Sequence, residues 1–360
     1  MKRVFSLLLA AMLFSFAFSA SAFDVRDDID GIVAYKTEEY GAKSVQGLAD
    51  ALAADAGTGA EWYVISLCAL GEYDMGAYAQ ALADFLSENK LMGAEAERCA
   101  LTFIACGVKS SYIDYAAENF IGKQGIMSYI WGLHLLNNGA KSSAYTAEST
   151  ALAIIERQCA DGGFSLTGDA GDVDVTSMAL CALAPHIENN DEIANSAQKA
   201  LSFISASQLE SGGFKSRGVE NSESAAQVIT ALCALGIDPR TDSRFIKNGK
   251  SALDALASFK LASGAYAHAA GESENDIATQ QALYALIALQ MFDEGKGSFF
   301  IFEDKGDKTP AGFRDVEFER GNGEVPKEKA DIKIIVCVAV IGVCALGIAA
   351  ALLMPKKKKE

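Results

Sequence analysis

Three stretches of the chain repeat one pattern of apolar and polar positions. Each has an amphipathic run that ends in a Gly-containing turn, then a polar loop, then a nearly continuous apolar run of the form ALxAL. The ALxAL runs begin at Ala179, Ala231 and Ala282, so the period is 52 and then 51 residues. A period of this size is typical of stacked helix-hairpin units. The pattern therefore predicts an array of paired helices.

The two helices of each unit differ in the width of their apolar face. The helix that carries ALxAL is apolar nearly all round, which indicates burial on more than one side. Its partner, for example over residues 195–208, keeps Ser, Gln and Lys between its apolar residues. Alternation of these two kinds of helix predicts an inner and an outer ring.

The N-terminal half has the same helical periodicity without the Gly-Gly-Phe turns. Apolar spacing predicts helices over residues 28–40, 45–54, 61–70, 77–88, 94–106, 112–120 and 126–136. With the three later units this gives about thirteen helices and no strand-rich stretch. The predicted fold class is all-α, in one domain over residues 23–294.

One segment of the second unit resembles a known sequence motif. KALSFISASQLESGGF, residues 199–214, is similar to the QW motif of the terpenoid cyclase and protein prenyltransferase superfamily. The resemblance implies an α/α toroid. IGKQGIMSYIWGLHLL (121–136), DVDVTSMALCALAP (172–185) and ESAAQVITALCALGIDP (223–239) resemble the secreted bacterial members with squalene-cyclase-like repeats. Those members are related to the α domain of intrinsic factor and transcobalamin, which implies a corrinoid as one possible ligand.

The two ends of the chain carry targeting patterns. Lys2 and Arg3, an apolar run and Ala20-Ser21-Ala22 predict a signal peptide over residues 1–22. An apolar stretch over 332–354, followed by a basic tail over 355–360, predicts a transmembrane helix with its C-terminus in the cytoplasm. A degenerate sorting signal around VPKEK (325–329) is the alternative. Residues 295–331, rich in Gly and charge, are expected to be a juxtamembrane tether, in which residues 299–302 form one apolar patch able to pack back onto the toroid.

The net charge of the chain limits the kinds of partner that it can bind. Without both termini, residues 23–331 hold 24 basic and 46 acidic residues, a net charge of about −22. Such a surface repels nucleic acid, which excludes that partner. The predicted location is therefore export and anchoring in the cell membrane, with the toroid outside the cytoplasm.

The cysteines and histidines suggest neither disulfides nor a metal site. The chain has eight cysteines, of which Cys337 and Cys344 fall in the predicted span. The other six lie in helical, Ala-rich contexts and are interpreted as small buried thiols. Protein prenyltransferases bind zinc through Asp, Cys and His, and no such set is recognised around His134, His186 or His268. No DDxxD-type magnesium motif is present, so no metal or cofactor is expected, and cobalamin would be a ligand.

The strongest candidate for catalysis is DVDVT, residues 172–176. It resembles the DxDD acid motif of squalene-type cyclases, which would make Asp174 the proton donor and Asp172 its neighbour. The last Asp of that motif is Val175 here. Asp, Ser and Asn before an apolar helical run are also typical helix N-caps, as Ser222 and Asn275 would be in the other units. Capping is the favoured interpretation.

The ring arrangement suggests where a ligand would bind. Parallel inner helices bring their N-termini, with their positive dipole ends, to one end of the toroid. The candidate residues at this end are Asp172, Asp174, Thr176, Glu223, Asp276, Gln280, Trp131 and Tyr284. Trp62, Tyr63 and Tyr129 are further candidates for lining the interior. The turn residues are assigned a structural role only: Gln158, Gly162, Gly163, Phe164, Gln208, Gly212, Gly213, Phe214, Gly264 and Tyr266.

These observations favour a non-catalytic, membrane-anchored toroid that captures a small molecule or a cell-surface protein or polymer. A cyclase-like or prenyltransferase-like enzyme acting on an isoprenoid is one alternative, and a structural or protein-interaction module is another.

Overall fold

Helices dominate residues 25–318, which are the part of the chain that the computed structural model describes. In chain order the α-helices are α1 Val25–Glu39, α2 Val45–Ala51, α3 Glu61–Leu70, α4 Gly76–Glu88, α5 Gly93–Ala105, α6 Ser111–Asn119, α7 Gly125–Asn137, α8 Ala147–Ile155, α9 Val173–Leu183, α10 Asp191–Ser207, α11 Ser222–Ala234, α12 Ala252–Ala257 and α13 Asp276–Asp293. Short 3-10 helices cover Leu52–Asp55, Ala184–Asn189 and Ser243–Phe245.

The only strands within residues 25–318 form a small hairpin. Strands β1 (Lys215–Ser216) and β2 (Val219–Glu220) are antiparallel, and they pair Lys215 with Glu220 and Ser216 with Val219. Arg217 has a φ of 50° at the tip of this hairpin. The hairpin lies in the polar loop before α11.

Six helices close into an inner ring. Helices α3, α5, α7, α9, α11 and α13 each contact the next one, and α13 returns to contact α3. The remaining helices lie outside this ring, and α1 packs against α13. Because inner and outer helices alternate along the chain, the inner helices are parallel. The predicted α/α toroid is confirmed.

Burial explains which helices lie inside. Every residue of α9 is buried, as expected for an apolar helix with neighbours on all sides. In α10 the buried positions are instead spaced three to four residues apart on one face: Ile193, Ser196, Ala197, Ala200, Leu201 and Ile204. The inner and outer roles inferred from the apolar patterns are therefore correct.

The glycine turns attach each unit to the next outer helix. Gly212 has a φ of 84°, and a Cβ there would lie 2.4 Å from the Ser251 carbonyl oxygen. Gln208 donates to the carbonyl oxygens of Gly212 (2.9 Å) and Phe245 (2.8 Å). Gln158, Gly162 and Gly264 make the equivalent close approaches or hydrogen bonds in their own units. Phe164, Phe214 and Tyr266 are fully buried, so these turns join neighbouring units by packing as well as by hydrogen bonds.

Residues 298–318 form an ordered strap across the C-terminal ends of the inner helices. Asn138, at the end of α7, donates to the Phe300 carbonyl oxygen and accepts from the Phe302 amide, both at 2.8 Å. The strap then passes over the end of α5, where the Lys308 amide donates to the Gly107 carbonyl oxygen. It ends with Phe318 stacked on Tyr115 of α6 at 4.1 Å. The first part of the segment expected to be a tether thus lies against the toroid, held by its aromatic residues.

The predicted signal peptide (1–22), transmembrane helix (332–354) and basic tail (355–360) lie outside the described residues. Across residues 25–318, each helix is too short or too polar to cross a bilayer.

Candidate functional site

The N-terminal ends of α9, α11 and α13, with the loops that precede them, form what we term the N-terminal rim. Asp172, Asn221 and Asn275 cap these helices, because each side-chain oxygen accepts from a backbone amide of the first turn. The capping interpretation is thus confirmed for Asp172 and Asn275. In the second unit the cap is Asn221, and Ser222 belongs to the helix.

Asp174 is not a cap but a buried acid. It lies in the first turn of α9 with 3% of its surface exposed. Burial, with a smaller contribution from the charge of Asp172, raises the pKa of Asp174 to about 7, while hydrogen bonds to Ser224 and Ser216 act in the opposite direction. Ser216, on β1, also donates to Asp172 at 3.0 Å. At neutral pH the Asp174 carboxyl group is therefore close to half protonated.

Glu223 and His268 form an ion pair beside Asp174. The His268 Nδ1 atom lies 2.9 Å from both Glu223 carboxylate oxygens. Glu223 is buried, whereas the His268 side chain is 29% exposed. The hydrogen bond to Glu223 raises the pKa of His268, against the opposing effect of partial burial. His268 thus places a partly exposed imidazole, paired with a buried carboxylate, at the rim.

A buried hydrogen-bond network links α11 to α13 one turn further in. Gln227 donates to Gln281 at 2.9 Å and to the Tyr284 hydroxyl at 2.5 Å. Burial raises the pKa of Tyr284, and the charges of Asp174 and Glu223 raise it further. These hydrogen bonds therefore join the polar interiors of α11 and α13.

Asp276 connects the rim to the first helix. Its carboxylate accepts from Lys36 of α1 and from the Tyr63 hydroxyl, both at 2.8 Å. Gln280, one turn along α13, donates to the other carboxylate oxygen at 3.3 Å. The Asp276 side chain is 59% exposed, so it forms part of the open edge of the rim.

The space enclosed by the six inner helices, termed the bore, contains an aromatic cluster. Trp62 lies 5.0 Å from Trp131 between ring centroids, and Phe300 of the strap lies 5.7 Å from Trp131 and 6.0 Å from Tyr284. Phe299 stacks on Tyr284 at 5.6 Å. Both phenylalanines are at most 3% exposed. The chain's own side chains therefore occupy this part of the bore.

Other predicted residues have structural positions. Thr176 is fully buried, and its hydroxyl accepts from the Phe164 amide at 2.8 Å, which fixes the preceding turn. Tyr129 does not line the bore, because it is half-buried beneath the Arg157 guanidinium group near the outer helix α8. Tyr63 packs at the contact with α1, where the Lys36 ammonium lies 4.5 Å from its ring. Trp62, Trp131 and Tyr284 do face the interior.

Several polar residues of the site were not predicted from the sequence. Gln227, Gln281 and Lys36 interrupt otherwise apolar helical faces, which is a signal that a buried polar group needs partners. His268 was considered only as a metal ligand. Its pairing with Glu223 joins two repeats 45 residues apart, and no local pattern reveals such a contact.

Two further buried groups lie on inner helices. Burial lowers the pKa of His134 to about 3, and its ring lies 4.7 Å from that of Phe300. Burial also raises the pKa of Glu97 well above its usual range. Burial thus favours the neutral form of both groups. Within residues 25–318 no group of three or more His, Cys, Asp or Glu side chains is arranged to hold a metal, so the zinc set of protein prenyltransferases has no counterpart there.

A match to a protein-family model agrees with the architecture. Residues 115–237 and 186–338 each match the prenyltransferase alpha-alpha toroid domain, and together these matches span more than half of the chain. The search of the curated proteins found no match. Among the solved structures, the chain is similar to the unsaturated glucuronyl hydrolase of Bacillus sp. GL1, which is responsible for the degradation of glycosaminoglycan, with 13% identity and a TM-score of 0.42 over 79% of this chain and 90% of that one. With its closed ring of six inner helices and this family match, the chain belongs to the prenyltransferase alpha-alpha toroid family.

Proposed function

We propose that this chain is a non-catalytic binding protein that is anchored in the membrane outside the cytoplasm and holds its ligand at the N-terminal rim. The anchoring rests on the patterns of residues 1–22 and 332–354. It predicts a mature chain that begins at Phe23 and stays with the membrane fraction, which N-terminal sequencing and fractionation would test.

The aromatic cluster of the bore carries the proposal. An enzyme that cyclises or transfers an isoprenoid must enclose an apolar substrate within the toroid. Here Phe299 and Phe300, supplied by the strap, pack there against Trp62, Trp131 and Tyr284. Two surface hollows, of about 460 and 620 Å³, lie against outer helices, not in the bore. At the rim, by contrast, the Asp276 side chain is 59% exposed and that of His268 is 29% exposed, so a ligand can approach the inner ring there.

The chemistry of the rim favours a ligand rich in hydrogen-bond donors. Its open edge presents the Asp276 carboxylate and the His268 imidazole, with the buried side chains of Glu223 and Gln280 just below. Three helix N-termini hold these carboxylates in place. A neutral or cationic molecule with several N–H or O–H groups would match these acceptors. A corrinoid, whose rim bears amide groups, belongs to this class.

A thermal melt and a calorimetric titration of the full chain with cobalamin would test the proposal. A ligand at about a hundred times its dissociation constant stabilises the fold by about 2.7 kcal/mol. Glu223→Gln should weaken binding by about tenfold, because a charge-assisted contact contributes about 1.5 kcal/mol or more. Glu192→Gln, an exposed change on the outer helix α10, is the matched control and should bind like the unmodified protein.

The outcomes separate the candidate functions. Binding of cobalamin that Glu223→Gln weakens and Glu192→Gln does not supports a corrinoid-binding rim. Equal binding by both variants would place the ligand elsewhere. Stabilisation by isoprenoids alone would contradict the proposal. No response to either ligand would favour a protein or polymer partner, or a purely structural module.

One observation favours an enzyme as the second candidate. Asp174 is a buried carboxylic acid with a pKa of about 7, which suits a proton donor at neutral pH. In a cyclase-like reaction it would protonate an alkene that has displaced the strap phenylalanines from the bore. Incubation with isoprenoids and product analysis, with Asp174→Asn as the inactive control, would test this alternative.

A further inference from the structure

We propose that Cys68 and Cys106 are a redox pair that forms a disulfide between the C-terminal ends of α3 and α5, and that the strap controls access to it. This inference is independent of the proposed function, since it concerns the opposite end of the inner ring.

The geometry of the two thiols carries the proposal. Cys68 lies in the last turn of α3, and Cys106 is the C-cap residue of α5. Their Sγ atoms are 3.9 Å apart, within hydrogen-bonding distance for sulfur. A disulfide requires about 2.05 Å, so the two atoms must approach by roughly 2 Å. Side-chain rotation with a small shift of the helix ends provides a movement of that size.

The surroundings of the pair make its two members chemically different. The hydrogen bond to Cys106 lowers the pKa of Cys68, and the ammonium groups of Lys305 and Lys308 add to this effect. The same hydrogen bond and burial raise the pKa of Cys106 well above its usual range. Since the thiolate is the reactive form, Cys68 is the attacking sulfur and Cys106 the resolving one.

The strap covers both cysteines. Lys305 donates from Nζ to the Cys68 carbonyl oxygen, and the Lys308 amide donates to the carbonyl oxygen of Gly107, the neighbour of Cys106. Cys68 is 7% exposed and Cys106 is 4% exposed. An oxidant therefore reaches Cys68 only when residues 305–308 move away. Formation of the disulfide would therefore depend on that movement.

The reaction is a thiol–disulfide exchange with a small-molecule disulfide as the oxidant. The Cys68 thiolate attacks one sulfur of the oxidant, its S–S bond breaks, and one thiolate leaves. Cys106 then loses its proton and attacks Cys68 Sγ in the mixed disulfide, which releases the second thiolate. Two electrons pass from the protein thiols to the oxidant, and two protons end on the released thiols or in solvent.

Oxidation of the full chain in a series of glutathione buffers tests the proposal. After quenching, free thiols are alkylated in denaturant and the peptides are mapped by mass spectrometry. We expect one cross-linked peptide pair containing Cys68 and Cys106, with Cys181 and Cys233 alkylated. The oxidised protein should also melt about 5 °C or more above the reduced form, because the bond closes a loop in the unfolded chain.

Variants test the part played by each residue. Thr309→Val removes the hydroxyl that accepts from the Lys109 amide beside residues 305–308, so it should loosen the strap and speed oxidation several-fold without changing the charge around Cys68. Cys106→Ser should trap Cys68 as a mixed disulfide with glutathione, whereas Cys181→Ser, a buried change on α9, should leave the Cys68–Cys106 bond unaffected. If Cys68 and Cys106 are alkylated to the same extent as Cys181 at every glutathione ratio, in both the unmodified protein and Thr309→Val, the proposal is wrong. Recovery of either cysteine mainly in another pairing would also overturn it.

Discussion

The two ends of the inner ring are built from the same parallel helices but by opposite means. At the N-terminal rim, capping residues and buried carboxyl groups such as Asp174 and Glu223 come from three successive units. At the C-terminal end, one segment far along the chain covers the helix ends and inserts Phe299 and Phe300 into the bore. The first end is polar and built mainly from successive repeats, whereas the second is aromatic and covered by one segment that is distant in the sequence. The N-terminal rim and the strap thus occupy opposite ends of one toroid.

The largest loss of stability is expected from a substitution at the point where the strap enters the bore. Phe300→Ala should lower the free energy of unfolding by about 3–5 kcal/mol, because the change removes a buried ring and leaves a cavity among aromatic side chains. Urea unfolding measures the loss. Phe302→Ala, at a half-buried position of the same segment, is the control and should cost less. Equal, small losses in both variants would mean that the strap does not help to fill the bore.

Asp174 should give the N-terminal rim a distinctive pH dependence. Its pKa is about 7 in the folded protein against an ordinary 3.8, so the folded state holds a proton that the unfolded state has released. The resulting stabilisation is fully present below pH 4 and is lost as pH rises through 7, by up to about 4 kcal/mol. In Asp174→Asn this component should disappear. The free energy of unfolding of the variant, relative to that of the unmodified protein, should therefore rise between pH 5 and pH 8. Unfolding curves that stay parallel across that range would contradict the assignment.

The glycine turns at the rim should show a smaller, graded effect. Gln208→Ala leaves the carbonyl oxygens of Gly212 and Phe245 without their donor, which should cost about 1–3 kcal/mol. Gln158→Ala removes the same two kinds of hydrogen bond at a more exposed position and should cost less. Thermal melts of both variants measure the difference. A larger loss for Gln158→Ala would show that burial does not set the strength of these contacts.

The smallest loss of stability is expected from a substitution of His268. Its pKa is raised by Glu223, so the pair stabilises the fold below the ordinary pKa of histidine, and this contribution is lost as pH rises through the folded-state pKa. Because His268 is partly exposed, His268→Gln should cost less than about 1 kcal/mol at pH 6 and still less at pH 9. NMR titration of the imidazole protons measures the pKa directly. A value below the ordinary one would contradict the pairing.

The contrast between the two ends of the inner ring also explains how much of the structure could be predicted from the sequence. Apolar periodicity predicted the helices closely, including α3 at residues 61–70, because an inner helix must be apolar on every face. The positions of the turns could also be predicted, because their signal is local and repeats about every 52 residues.

Contacts between residues that are far apart in the chain could not be predicted from the sequence. Nothing near Glu223 points to His268, and nothing near Asn138 points to Phe300, since these contacts depend on how the ring closes. The packing of residues 299–302 onto the toroid was expected and is confirmed, but the path of residues 303–318 was not predicted, for the same reason. Its Gly and charged residues are typical of a linker, and its few aromatic residues gain their importance only from the bore that receives them.

Ring closure also sets the order in which the chain can fold. Lys36 meets Asp276 across 240 residues, and Gly264 of the last repeat lies against the backbone of Gly31 in α1. A ribosome releases α1 first, so this helix keeps an uncovered apolar face until the final repeat has emerged. The toroid is therefore completed late and as one cooperative unit. A ring also has no obligatory starting point, and a permuted chain that begins at another repeat would regain the same contacts.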